Sequence, residues 1–262
     1  MYHSIILENP KTGEKINTYD DWFLAPTSRP VINPPTPKTN YVDIPGSSGA
    51  IDMSETLTGY PVYENREGSF TFYVLNALND IPDPQLWNVR YERILNFVHG
   101  KTLKLILEDD PAYYYIGRLK VDKWDSKANN SEIEISYNLE PYKWKIESTI
   151  DDWIWDSFNF DTDTIEDGYK DIIVNSPNTF KTFTFNKENE LQAPVIPIFR
   201  VSSMTQSMTI EFINTALGID VTYPLALGDN EFFDCVITNI SDWVLKVKGK
   251  GTISIVYNKG RL

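Results

Sequence analysis

Cysteine occurs once in the 262 residues and histidine twice, so neither a disulfide framework nor a histidine-built metal centre has the residues it needs. Cys235 stands in the alternating run 232–237, which reads as a strand, and is a small core residue rather than a nucleophile. His3 and His99 lie far apart, and no H-E-x-x-H spacing occurs. Long apolar runs are also missing. None approaches the roughly 20 residues a spanning helix requires, so no membrane attachment is expected. The first eight residues lack a basic stretch followed by an apolar one, so no secretory signal is expected and the chain reads as soluble and made in a cytoplasm. Positive charge is scarce: 24 Lys and Arg face 37 Asp and Glu, for a net charge of −13. Phosphate backbones are held mainly by Lys and Arg displacing counterions, so sequence-specific nucleic-acid binding is disfavoured.

Catalytic signatures are lacking as well. There is no G-x-S-x-G elbow, no G-x-x-x-x-G-K-[ST] phosphate loop and no Rossmann glycine fingerprint. Carboxylates abound, but acid–base catalysis requires two whose surroundings separate their pKa values, and abundance does not supply that. The run 161–168 begins like a calcium loop and then departs from it. Ile165 takes the place of the third oxygen ligand, and the glycine comes two residues late. No catalytic residue, cofactor or metal ligand is assigned.

What the chain does have is alternation. Ile133, Ile135, Tyr137 and Leu139 face one way and Glu132, Glu134, Ser136 and Asn138 the other, the period of a half-buried strand. The same period runs through 69–74, 102–107, 115–121, 208–213, 232–237 and 252–257, and residues 127–131 have turn chemistry. One helix is predicted, capped by Asp83, with Pro84 in its first turn and Gly100 just past its end. Leu86, Trp87, Tyr91, Ile94, Leu95 and Val98 fall at helical spacing to cover a sheet, while Arg90, Glu92 and Arg93 face water. The prediction is a mainly β protein: an α+β domain over 1–145, then a β-sandwich over 146–262. The first carries 15 Lys and Arg against 20 Asp and Glu, the second 9 against 17, so the second is more acidic in fewer residues.

The stretch 25–55 does not fit a solitary domain. Six prolines lie from Pro26 to Pro45, each fixing φ and restricting its predecessor, so an extended arm is expected. Gly46 and Gly49 then allow a tight turn, and Ile51 and Met53 resume alternation. Linkers are polar throughout. Here Val31, Ile32, Tyr41, Val42 and Ile44 are apolar and call for cover by the chain's own sheet or a neighbouring subunit.

Residues 37–55 read PKTNYVDIPGSSGAIDMSE. They resemble the signature of the distal tail protein (Dit) family of siphophages, P-K…V-x-I-P-G-x-x-G-x-I/L-D. Trp22, the run 61–68 before Phe70 and Phe72, Gly100-Lys101 and Tyr142-Lys143-Trp144 follow in similar order. The resemblance covers about 1–145. It implies a homo-hexameric ring at the tip of a phage tail, built by the first domain, with Pro37, Lys38, Tyr41, Val42, Ile44, Pro45, Gly46, Gly49 and Asp52 in an arm that serves the ring. It also implies a tail tube protein on one side, a tail-tip protein carrying fibres or lysins on the other, and a virion location. For 146–262 it implies a galectin-like or carbohydrate-module-like sandwich projecting outward.

Two other functions stay open. Trp153 and Trp155 alternate with acids, and exposed tryptophans beside carboxylates stack on sugar rings, which suits an adhesion module for host cell-wall polysaccharide. Strand packing accounts for the same aromatics without a ligand. A glycoside hydrolase using paired carboxylates is the third reading.

Overall fold

The computed structural model describes residues 3–75, 77–78, 81–82, 87–126, 131–150, 158–159, 164–165, 169–185, 193–215, 218–237 and 243–262. The chain divides into two compact units, Met1–Lys143 with Leu262, and Trp144–Arg261.

The first unit contains β1 (Ile5–Glu8), β2 (Lys15–Asn17), β3 (Leu24–Pro26), β4 (Tyr41–Asp43), β5 (Ala50–Asp52), β6 (Arg66–Val74), β7 (Ala77–Leu78), β8 (Ile81–Pro82), α1 (Trp87–Val98), β9 (Lys101–Leu107), β10 (Tyr113–Ser126) and β11 (Ser131–Leu139). Its main sheet is antiparallel, in the order β2-β1-β9-β10-β11-β6-β3. The alternation read from the sequence sets which face is buried. Ile133, Ile135, Tyr137 and Leu139 on β11 are buried together with Phe70, Phe72 and Val74 on β6. The register puts Ile133 opposite Phe72, Ile135 opposite Phe70 and Tyr137 opposite Gly68. Each large apolar side chain so enclosed contributes roughly 1.5–3 kcal/mol. Gly68 is required by space: a Cβ there would lie 2.4 Å from the Tyr137 hydroxyl oxygen.

Helix α1 lays Ile94 and Val98 on this core, with Phe97 edge-on to Trp22 at 5.6 Å and Tyr91 against Trp124. The Gly100 N–H, just past its end, bonds the Leu119 carbonyl at 2.8 Å. Asp83, Pro84 and Leu86 lie outside the described residues. Arg90 departs from expectation. It is buried, donates from Nη1 to the Leu75 carbonyl at 2.8 Å, and sets its guanidinium 5.3 Å from the Phe23 ring. A backbone acceptor and an aromatic face replace the water that an arginine ordinarily keeps.

The second unit holds β12 (Lys143–Ser148, from its second residue), β13 (Phe158–Asn159), β14 (Thr164–Ile165), β15 (Ile172–Phe185), β16 (Ile198–Asn214), β17 (Ile219–Leu225), β18 (Gly228–Glu231), β19 (Trp243–Val256) and β20 (Asn258–Arg261). Its main sheet is antiparallel, β15-β19-β16-β17, with β18 also on β16. The mainly β expectation holds. The core of this unit gathers residues of these long strands together with Val195, Cys235, Ile237 and Tyr257 from outside that sheet, and Trp144 of β12 packs half-buried against it. Register shifts between Ser176 and Lys181, and from Val201 to Thr209, break the ladders midway. Residues on both sides of the breaks then meet in one cluster: Val174, Phe199 and Ile253 with Phe212, Trp243 and Leu245. Gly249, at φ 124°, sits where β19 crosses β16, and a Cβ there would lie 2.5 Å from the Ser207 carbonyl oxygen.

The run 232–237 is not a strand. Cys235 N–H bonds the Phe232 carbonyl at 3.0 Å, Asp234 accepts the Tyr223 hydroxyl, and Ile237 makes an isolated bridge to Val195. Six alternating residues match a strand and a turn with buried flanks equally well, and the side-chain bond of Asp234 favours the turn. Cys235 is enclosed, and burial pushes its thiol up to about 12, which suits a core residue.

Candidate functional site

The proline-rich stretch begins as a docked root. Pro30 and Pro35 are buried, and Ile32 packs half-buried on the first core. Arg66 holds this root in place. It lies on the inward face of β6, where its Nη1 donates to the Asn33 carbonyl at 2.8 Å and its Nε to the Pro141 carbonyl at 2.7 Å. The guanidinium also lies 5.4 Å from the Tyr115 ring. Burial draws its pKa down, although an arginine stays charged at any ordinary pH. Tyr137 reaches the Asn33 backbone from β11. Burial raises the Tyr137 phenol, and its bond to Asn33 and the charge of Arg66 oppose that rise.

Beyond Asn33 the chain pairs with residues 62–64. Lys38 N–H bonds the Val62 carbonyl and Glu64 N–H the Thr36 carbonyl, each at 2.8 Å, and Pro37 bridges Tyr63. Tyr63 in turn meets Tyr142 edge-on at 5.9 Å. Burial, with Tyr63 and Tyr60 nearby, pushes the Tyr142 phenol up to about 12.

The tip is a hairpin of β4 and β5, not an extended arm. Val42 pairs with Ile51, Tyr41 with Asp52 and Asp43 with Ala50. Gly46 and Gly49 both take φ 84°, the left-handed region that the reversal requires and glycine permits. Asp52 accepts the Ser54 hydroxyl and, at 2.9 Å, the Ser54 N–H; these bonds, with one from Tyr41, hold its carboxyl below the usual range. Met53 N–H closes on the Asn40 carbonyl at 2.8 Å.

Of the apolar residues that call for cover, Ile32 alone receives it among the described residues. Val31 is 65% exposed and Tyr41 60%. Val42, Ile44, Ile51 and Met53 are 40–51% exposed; Val42 and Ile51 are paired across the hairpin and share one side, with Ile44 and Met53 just beyond the strand ends. A two-stranded hairpin is at best marginal in water without a sheet or helix behind it, and an open apolar stripe marks an interaction surface.

The structure therefore separates the nine arm residues. Pro37 and Lys38 belong to the paired root, while Tyr41, Val42, Ile44, Pro45, Gly46, Gly49 and Asp52 form or flank the hairpin. The sequence reading missed Arg66, Asn33 and Tyr137. An arginine in register with Phe70, Phe72 and Val74 on an inward face was the available signal. It also missed Asp109, which accepts His3 Nδ1 and Arg29 Nε, each at 2.7 Å. Trp153 and Trp155 lie outside the described residues, as does the calcium-like run apart from Thr164 and Ile165. Among the described residues no cluster of His, Cys, Asp and Glu is arranged to hold a metal ion, and no helix is long and apolar enough to cross a membrane.

No family model matches the chain, and no curated protein matches it in sequence. Among solved structures it is similar to the Dit protein of phage SPP1, described with that structure as a paradigm of the hub adsorption apparatus in phages infecting Gram-positive bacteria. The two share 12% of residues and superpose with a TM-score of 0.56, over 98% of this chain and 99% of that one. At this identity the likeness is one of fold. It is the fold that the signature in residues 37–55 implies.

Proposed function

We propose that this chain is a structural subunit of a phage tail tip. It assembles into a hexameric ring that connects the tail tube to the tail-tip and host-adhesion apparatus. Residues 1–145 form the ring, 146–262 form a peripheral domain, and no catalytic role is assigned. The observation that carries the reading is the hairpin, whose apolar residues stay exposed among the described residues and whose root is fastened by Arg66 and Tyr137. The whole-chain likeness to a hub protein supports the kind of assembly. In a closed ring each subunit offers one surface to a different surface of the next, and a rooted arm with a sticky tip serves that geometry. The partners are a second copy of this chain, a tail tube protein, and a tail-tip protein of lysin or fibre type; the location is the virion. Negative-stain imaging of the purified chain tests the reading: six-fold rings are expected, and a uniform field of single particles at high concentration would overturn it.

A further inference from the structure

The solvent-facing side of the main sheet of the second unit carries a row of lysines. On β19, Leu245 and Val247 enter the core while Lys246 and Lys248 point away from it, and Lys250, two residues on, is exposed. The register sets Thr182 and Glu211 on either side of Lys246, and Thr209 beside Lys248. Among the described residues one carboxylate reaches these lysines, Glu211 at 3.5 Å from Lys246. This basic stripe stands in a chain of net charge −13.

Phe180 lies on the same face. Its strand loses register between Ser176 and Lys181, and such a bulge re-aims side chains. Phe180 is 43% exposed, with the ammonium groups of Lys246 and Lys248 at 6.0 and 5.9 Å from the centre of its ring. Phe199, Phe212 and Trp243 are in the core on the other side, so packing does not account for an aromatic here. A solvated sheet face ordinarily mixes both signs of charge and keeps its aromatics inside.

The geometry points to a docking stripe for a phosphodiester-linked polyol chain of a Gram-positive cell wall. Phe180 packs on the carbon backbone, and Lys246, Lys248 and Lys250 pair with successive phosphates. Alternate residues of a strand stand about 6.7 Å apart, so the stripe is one strand wide and suits a single flexible chain. Duplex DNA carries one charge per roughly 1.7 Å of axis, far denser than lysines about 6.7 Å apart can match one for one. The choice of a wall polymer rests on the tail-tip reading; the basic, aromatic stripe does not.

The test uses the full chain and a synthetic poly(glycerol phosphate) oligomer followed by fluorescence anisotropy. A neutral glucan and an oligodeoxynucleotide with the same number of phosphates are run alongside. Binding is expected to the polyol phosphate alone. It should weaken roughly twenty-fold between about 50 and 200 mM salt, as three contacts at about 0.7 each predict. The double variant Lys248→Glu/Lys250→Glu should abolish it and Phe180→Ala should weaken it about ten-fold, with circular dichroism unchanged. No binding at low salt, binding unaffected by these variants, or equal binding of the oligodeoxynucleotide overturns the proposal. Light scattering on the same sample keeps the two readings apart, since a hexamer that ignores the polymer leaves the ring standing and removes the stripe's role.

Discussion

The root and the tip of the proline-rich stretch are alike in composition and opposite in environment. Both are rich in proline, glycine and isolated apolar residues, yet Pro30, Ile32 and Pro35 lie against their own sheet while Val42, Ile44, Ile51 and Met53 remain open. The difference comes from what each half finds within reach. The root meets a buried arginine that takes up the Asn33 carbonyl and a tyrosine that bonds the Asn33 backbone. The tip closes its backbone bonds within the hairpin, and its apolar residues stay exposed among the described residues. Internal hydrogen bonding fixes its shape without covering its surface, and that is the combination expected of an element that docks elsewhere.

This contrast can be broken from either end. Arg66→Ala should have the largest effect on folding. It leaves the Asn33 and Pro141 carbonyls without their charged donor, at a cost of about 3 kcal/mol in urea unfolding. Gly68→Ala comes next at about 2 kcal/mol, because its methyl meets the Tyr137 ring and pushes the same anchor off Asn33. Val42→Asp and Ile51→Asp should shift unfolding of the single chain by no more than about 0.5 kcal/mol, as surface changes do, and still abolish assembly. A tip variant that unfolds as readily as Arg66→Ala would erase the distinction.

The smallest effect is one of pH. Bonds from His3 first, and then from Arg29, hold the Asp109 carboxyl below its usual range. A carboxylate depressed in the folded state stabilises fully above its unfolded value, near 3.9. That stabilisation is lost as pH falls through the lower folded value. Asp109→Asn should therefore destabilise slightly at neutral pH and flatten the acid limb below about pH 4, measured by thermal melts across pH.

Much of the fold was legible because period-2 alternation records which face is buried, and β11 with its partner β6 obeys it from end to end. Helix α1 was legible from its 3.6-residue spacing. Arg90 was misread because the pattern counts charge as wet and cannot foresee a carbonyl and an aromatic ring arriving from elsewhere in the chain. The turn at 232–237 was misread because its flanks alternate as a strand does. At the candidate site, the glycines announced the reversal and the prolines the extended root. Which half would be covered depended on Arg66 and Tyr137, distant in sequence, and on a register that local pattern does not specify. The Lys246–Lys248 stripe escaped notice because Phe180 joins it only through an irregularity in β15.

On this reading the exposed hairpin joins one subunit to the next. Light scattering of the purified chain, set beside the Val42→Asp/Ile51→Asp double variant, tests it most directly. The unaltered chain should scatter as about 181 kDa, six times its 30.2 kDa, and the variant as a folded monomer. A monomer in both samples, or a ring in both, would contradict it.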